Sequence, residues 1–161
     1  MSRWLGIFAL ALLLPPAPAN AIKGKPQVID GDTIVIAGER IHLYGIDAPE
    51  ARQTCMVGQR KWHCGQNAAM ALAGIIGTHW VLCRERGRDR HGDMLGVCHI
   101  AGYRGPDINA QLVAAGWALA DRRRSLDYVD EEARARAEGR GIWASRFTVP
   151  WEWRRRNQPQ E

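Results

Sequence analysis

The chain has 161 residues, of which 46% are hydrophobic and 24% are charged, and its net charge is +5. This length and composition suit one ordinary domain with its own hydrophobic core, and the sequence has no internal repeat or low-complexity segment. The mild positive charge favours encounters with polyanions such as nucleic acids but does not by itself identify a partner.

The first 21 residues have the pattern of an export signal. Arg3 precedes an apolar stretch at residues 4–14, and residues 19–21 form an A-x-A cleavage site. The apolar stretch has about eleven residues, whereas a membrane-spanning helix needs about 20. We therefore expect cleavage before Ile22 and an exported protein, periplasmic or extracellular, with no membrane segment after cleavage.

The sequence predicts one domain at residues 22–149 and a Trp- and Arg-rich tail at residues 150–161. Apolar and β-branched runs predict five strands, and helical periodicity with stop signals predicts three helices. The predicted strands are residues 26–29, 32–36, 40–46, 78–85 and 95–101, and the predicted helices are residues 66–76, 108–115 (with Asp107 as N-cap) and 128–138. These elements favour a small barrel within an α+β fold, although periodicity alone also permits a generic α+β domain.

Two short acidic strings flank the first predicted hairpin, DGDT at residues 30–33 and DAPE at residues 47–50. A turn near Gly38 brings Asp32 within about 7 to 10 Å of Asp47. Oxygen ligands without an accompanying histidine or thiol suit Ca²⁺ or Mg²⁺ better than Zn²⁺. Either string alone is also ordinary turn chemistry, so the prediction of a metal site depends on their combination.

Four cysteines in an exported chain favour disulfide bonds. Cys83 and Cys98 are symmetric about the turn at residues 90–91, which places them opposite each other in an antiparallel hairpin. Cys55 and Cys64 then form the second pair. A zinc site built with histidines is the alternative, but the chain has no C-x-x-C spacing and export disfavours free thiols.

The two acidic strings, joined in this order by a hairpin of suitable length, resemble the thermonuclease, or staphylococcal nuclease-like, family. Later segments extend the resemblance over residues 28–143: DRHG at 89–92, NAQLVAAG at 109–116 and GRGIW at 139–143. The resemblance implies a five-stranded OB-fold-like barrel with three helices. It also implies a monomeric, Ca²⁺-dependent endonuclease that hydrolyses phosphodiester bonds in DNA or RNA.

The resemblance implies roles for individual residues as well. Asp32 and Asp47 would be Ca²⁺ ligands, and the backbone carbonyl of Ala48 would be a third. Glu50 would be the base, or the group that orients the attacking water.

Two positions at this site depart from the family pattern. The arginine expected five residues before Asp47 is His42, and the arginine expected after the glycine of the second turn is Asp93. Because arginines stabilise the negative charge of a phosphoryl-transfer transition state, losing both predicts weak or lost nuclease activity. Arg40 and Arg90 could compensate, or His42 and Asp93 could pair with each other.

A non-catalytic function is the alternative. The protein would then be a calcium-stabilised module that binds a polyanion, or an accessory to exopolysaccharide production, with which some thermonuclease-like proteins are associated. In the tail, Trp151 and Trp153 would share a face if extended. We expect them to cover the barrel while the arginines at 154–156 stay solvated; the alternative is stacking and phosphate contact with a single nucleic-acid strand.

Overall fold

The structure is a computed structural model that describes residues 20–157. The export signal predicted at residues 1–21 falls almost entirely outside the described residues, as does the end of the tail at 158–161. Between residues 20 and 157, no helix is both long and apolar enough to cross a bilayer.

The described part of the chain contains ten strands, four α-helices and one 3₁₀ helix. The strands are β1 (Ala21–Gly24), β2 (Gln27–Val28), β3 (Thr33–Ile36), β4 (Glu39–Leu43), β5 (Ile46–Asp47), β6 (Cys55–Val57), β7 (Arg60–Trp62), β8 (Val81–Arg88), β9 (Met94–Ile100) and β10 (Leu119–Ala120). The helices are α1 (Cys64–Ile76), α2 (Ile108–Ala114), α3 (Val129–Ala137) and α4 (Pro150–Asn157), with the 3₁₀ helix at Gly141–Ala144.

Six strands form one sheet in the order β1-β8-β9-β4-β3-β2, in which only the β4–β9 pair is parallel. Two short antiparallel pairs, β5–β10 and β6–β7, lie outside it. The predicted α+β class is confirmed. The predicted count of five strands and three helices is too low, because the additional strands have only two to four residues, too few to show a period, and because the tail forms α4.

The hairpin that carries the first acidic string is built on a two-residue turn. Ala37 and Gly38 both have positive φ, 51° and 85°, as a type I′ turn requires. The turn pairs Ile36 with Glu39 and sets the register that places Thr33 opposite His42.

The strand predicted at residues 40–46 ends at Leu43. Gly45 has a φ of 78° and turns the chain out of the large sheet. Asp47 therefore lies in the separate strand β5, opposite Leu119 of β10. The second acidic string therefore begins in the β5–β10 pair and not in the large sheet.

The main core lies between the large sheet and helices α1 and α2, and contains fully buried residues such as Ile34, Ile41, Leu72 and Leu112. A second core cluster lies under the C-terminal part of the chain. It contains Cys55, Cys64, Leu119 and Ile142, with Trp62, Trp117, Trp143, Phe147, Val149 and Trp151 packed against them.

Both expected disulfide bonds occur in the structure. Cys83 and Cys98 are paired across β8 and β9. Cys55 and Cys64 join β6 to the start of α1 within the second cluster. The second bond fixes the chain just after the acidic string at residues 47–50.

Candidate functional site

An open cavity of about 720 Å³ lies beside the end of the β3–β4 hairpin. Seven carboxylates and five arginines line it, so it is strongly polar and carries both signs of charge. The charges divide into two groups. We call Asp32, Asp47, Glu50 and Arg154 the carboxylate end, and Arg40, His42, Asp89 and Asp93 the histidine end.

Asp32 is held at the carboxylate end by two hydrogen bonds. The backbone N–H of Ala48 donates to its Oδ2 at 2.7 Å, and the hydroxyl of Thr33 donates to its Oδ1 at 3.1 Å. Burial raises the pKa of Asp32 well above its usual value, and the neighbouring carboxylates of Asp30 and Asp47 raise it further. Within residues 20–157, no arginine, lysine or histidine forms a salt bridge with Asp32.

Asp47 and Glu50 share a single guanidinium, that of Arg154 in α4. Its Nη1 and Nη2 donate to Oδ1 and Oδ2 of Asp47 at 2.9 and 2.7 Å, and Nη1 also donates to Glu50 Oε1. Burial raises the pKa of both carboxyls, and the bonds to Arg154 only partly offset that rise. Burial lowers the pKa of Arg154, but its bonds to the two carboxylates outweigh this, so its pKa is raised overall and the guanidinium stays charged.

The loop that carries Glu50 is fixed from two sides. Gln53 is fully buried; its Oε1 accepts from the N–H of Glu50 at 3.2 Å, and its Nε2 donates to the carbonyl of Thr148 at 2.6 Å. At the start of α1, Gly65 packs against the backbone of Glu50; a Cβ at this position would be 1.7 Å from the Glu50 carbonyl oxygen. The loop is thus tied both to α1 and to the segment that leads into α4.

Trp151 holds helix α4 in place by packing against the second cluster. The guanidinium carbon of Arg123 lies 5.6 Å from the centre of the Trp151 ring. Arg154 follows three residues later on the same helical face and enters the cavity, where its side chain is 32% exposed. The expectation that Trp151 covers the barrel agrees with this packing. The expectation that the tail arginines are all solvated is wrong for Arg154 and fits Arg155, which is exposed.

Arg154 is the site residue that the sequence reasoning missed. The expected tail is extended, whereas the structure has a helix that begins at Pro150, and proline at the first position of a helix is a recognised helix-start signal. A helical interpretation would have placed Trp151 and Arg154 on one face, but nothing in the sequence places that face beside Asp47.

At the histidine end, the residues at the two missing arginine positions contact each other. His42 Nε2 lies 3.2 Å from Asp93 Oδ2 and 3.6 Å from Asp89 Oδ2. Arg40 Nε lies 3.2 Å from the same oxygen of Asp93. Of the alternatives raised by the sequence, pairing of His42 with Asp93 is therefore observed, and Arg40 is also engaged by Asp93.

Thr33 connects the two ends. Its hydroxyl lies 3.1 Å from Oδ1 of Asp32 and 2.9 Å from Nδ1 of His42. Nε2 of the ring faces Asp89 and Asp93. Ligand atoms of His42, Asp89 and Asp93 lie within 4.8 Å of one another. The guanidinium of the adjacent Arg40 balances part of the negative charge of the two aspartates.

The carboxylate end has the donor set of a hard divalent cation. Asp32, Asp47 and Glu50 offer only oxygen ligands. The negative charges of Asp30 and Asp47 lie close to Asp32, and a bound cation would reduce the repulsion between these carboxylates. Their donor type suits Ca²⁺, whereas the ligand atoms found within 4.8 Å of one another in the described part of the chain are those of His42, Asp89 and Asp93. The backbone of Ala48 is adjacent, with its N–H on Asp32, and the role of its carbonyl as a ligand stays a prediction.

Comparison with known proteins assigns the family. A family model described as "Staphylococcal nuclease homologue" matches residues 40–145. The chain is 37% identical over 147 residues to "Succinoglycan biosynthesis protein ExoI" of Rhizobium meliloti, covering 88% of this chain and 76% of that protein. It is 35% identical over 164 residues to "Protein ParB" of Escherichia coli, covering 91% and 88% respectively. An "Uncharacterized endonuclease" of Haemophilus influenzae is 29% identical over 140 residues, covering 82% and 72%.

These matches agree with the second acidic string and the α+β architecture, whereas the first acidic string, at residues 30–33, precedes the start of the family match. The family match covers Asp47 and Glu50, whereas Arg154 follows its end. The chain belongs to the family of staphylococcal nuclease homologues.

Proposed function

We propose that the protein is an exported, Ca²⁺-dependent phosphodiesterase that cleaves DNA or RNA. The observation that carries this proposal is the convergence of Asp32, Asp47 and Glu50 on one open cavity that five arginines also line. Phosphodiester hydrolysis requires carboxylates for a metal and for water, together with cations for phosphate. Family membership supports the same reaction class.

Asp32 and Asp47, with the carbonyl of Ala48, would hold the ion. When bound, Ca²⁺ would supply a positive charge that polarises the scissile phosphate. The hydrogen bonds from Ala48 N–H and Thr33 fix the Asp32 carboxylate before any ligand arrives, so little reorganisation is needed.

Glu50 would accept a proton from the attacking water. Burial raises its pKa, which moves this carboxylate towards the range in which a general base works well near neutral pH. Gln53 and the close approach of Gly65 hold its backbone in place. The geometry thus keeps Glu50 at the wall of the cavity.

The histidine end is expected to limit the rate. Asp93 adds a negative charge beside the cavity, and His42 and Arg40 are both occupied by it. A phosphate approaching this end would meet an arginine that is already paired and the carboxylates of Asp89 and Asp93. We therefore propose an enzyme slower than a relative that has arginine at both positions.

Export is supported by the two disulfide bonds, since such bonds persist mainly in oxidising compartments. A second candidate function is an accessory role in exopolysaccharide production. It is favoured by 37% identity to a relative named for succinoglycan biosynthesis. In that case the cavity would bind a polyanion without cleaving it.

Incubating the chain from Ile22 onward with single-stranded DNA and with RNA, in Ca²⁺ or in chelator, tests the proposal. We expect cleavage that requires Ca²⁺ and is lost in a variant combining Asp32→Asn and Asp47→Asn. Binding without cleavage would favour the accessory function. Cleavage that persists in chelator would contradict the assigned metal site.

A further inference from the structure

We propose that Arg154 is the phosphate-binding arginine of this cavity, supplied by α4 in place of the two arginines replaced by His42 and Asp93. This inference rests on the proposed nuclease function and deepens it by assigning a substrate-binding residue outside the matched family segment at 40–145.

The position of Arg154 is the first argument. Among residues 20–157, it is the cation that forms salt bridges with both Asp47 and Glu50. A phosphate held between a metal on the acidic residues and the Glu50 base must lie next to those same side chains. The other end of the cavity offers Arg40, which is engaged by Asp93.

The donors left over on the guanidinium are the second argument. Arginine has five N–H donors, and the contacts to Asp47 and Glu50 use both protons of Nη1 and one proton of Nη2. The Nε–H and the second Nη2–H form the other two-donor edge of the planar group. Neither has a hydrogen-bond partner in the described part of the chain, and this edge matches two oxygens of a phosphate.

The third argument is the packing that holds α4 in place. Trp151 packs in the second cluster, and the Gln53 bond to Thr148 ties the segment before α4 to the loop that carries Glu50. An arginine held this way is preorganised, because the guanidinium is fixed on Asp47 while its free edge stays available. Preorganised donors stabilise developing charge far better than flexible ones.

The test compares Arg154→Ala and Arg154→Lys with a matched control, Arg155→Ala, in the full mature chain. Arg155 is on the same helix, is exposed and carries the same charge. For each variant, kcat and KM for single-stranded DNA and the Kd of a phosphorothioate oligonucleotide that resists cleavage are measured over a range of Ca²⁺ concentrations up to saturation. The Kd of Ca²⁺ is measured separately, by calorimetric titration of the ion-free protein.

We expect Arg154→Ala to lower kcat/KM by at least about 100-fold and to weaken oligonucleotide binding about tenfold, with no rescue by excess Ca²⁺. Arg154→Lys should recover little, because an ammonium lacks the second two-donor edge. Arg155→Ala should stay within about threefold of wild type. A purely structural clamp on Asp47 and Glu50 would instead be rescued by Ca²⁺, which pairs the same carboxylates.

Several results would overturn the inference. If the wild type cleaves and Arg154→Ala cleaves equally well or faster, Arg154 only occupies the cation site, and the proposed function stands without it. If the wild type does not cleave, the proposed function fails, and unchanged oligonucleotide binding by Arg154→Ala overturns the inference separately. Should the alanine variant fail to fold, Arg154→Lys decides: wild-type kcat/KM in that variant excludes the role.

Discussion

The two ends of the cavity balance their charges in different ways. At the histidine end, Arg40 and His42 come from one strand, and Asp89 and Asp93 come from one turn. At the carboxylate end, Asp47 and Glu50 are paired by a guanidinium that is 107 and 104 residues away in the chain. The cation at one end comes from a neighbouring hairpin strand, and the cation at the other end comes from the C-terminal helix.

The difference shows why two substitutions in a motif do not by themselves decide whether a site works. The residues at the missing arginine positions contact each other, and Arg40 at the same end is engaged by Asp93. The positive charge needed beside the carboxylates is present, but it comes from a segment that the motif does not include. The following predictions test this division, starting with the largest expected effect.

Removing the acidic ligands should eliminate the activity of the carboxylate end. For Asp32→Asn combined with Asp47→Asn, we expect Ca²⁺-dependent cleavage to fall by at least about 10³-fold. The rise in melting temperature that Ca²⁺ should give the wild type should also disappear, because a ligand stabilises only the state that binds it. Asp127→Asn, at an exposed position, is the control; an equal Ca²⁺ shift in the double mutant would contradict the assigned ligands.

Restoring arginine at the histidine end should raise activity by about 100-fold for His42→Arg combined with Asp93→Arg. Either change alone should do less, because a single arginine at position 42 would still pair with Asp93 and Asp89. The combined gain should therefore exceed the product of the single gains. Steady-state kinetics of the three variants measure this, and a wild type as fast as the double mutant would show that the histidine end does not limit the rate.

Disturbing the contact between Gly65 and the backbone of Glu50 should lower the stability of the protein and weaken its Ca²⁺ binding without changing any charge. In Gly65→Ala, the new Cβ would collide with the Glu50 carbonyl oxygen, and we expect a loss of about 2 to 3 kcal/mol in the free energy of unfolding together with weaker Ca²⁺ binding. Gly74→Ala, in the same helix with no atom within 4 Å, should instead stabilise by about 0.5 to 1 kcal/mol. Urea unfolding separates the two, and equal midpoints would argue against the close contact.

The smallest effect should come from Arg40→Ala. The Arg40 side chain is 41% exposed, so its pair with Asp93 is screened by solvent, and we expect a loss in unfolding free energy below about 1 kcal/mol that shrinks further at high salt. Arg52→Ala, at an exposed position, serves as the control. A loss above about 2 kcal/mol would mean that the histidine end is held together more tightly than its exposure implies.

Local features of the fold were predictable from the sequence because they depend on neighbours in the chain. The turn at Ala37 and Gly38 contains a glycine, which suits positive φ, and it fixes the hairpin register. Asp107 caps α2 through the N–H of Ala110, as its side chain predicts. The opposition of Cys83 and Cys98 follows from the symmetry of one hairpin.

Features that depend on contacts between distant segments were not predictable in the same way. The strands at β5 and β10 are too short to show a period, and each forms only because the other is beside it. The hairpin of Cys55–Val57 and Arg60–Trp62 is local, but its strands have three residues each and are also too short to show a period. A short strand has little intrinsic preference, so its pairing decides its structure.

The sequence by itself determined the family, the α+β class and the two acidic strings that carry Asp32, Asp47 and Glu50, because the β3–β4 hairpin and the short segment after it keep these residues close along the chain. Only the tertiary structure decided which cation meets them. Arg154 reaches Asp47 because Trp151 packs in the second cluster and because Gln53 bonds to Thr148, and both contacts join segments that are far apart in the chain. Such contacts arise from the shape of the assembled core, which no local spacing encodes.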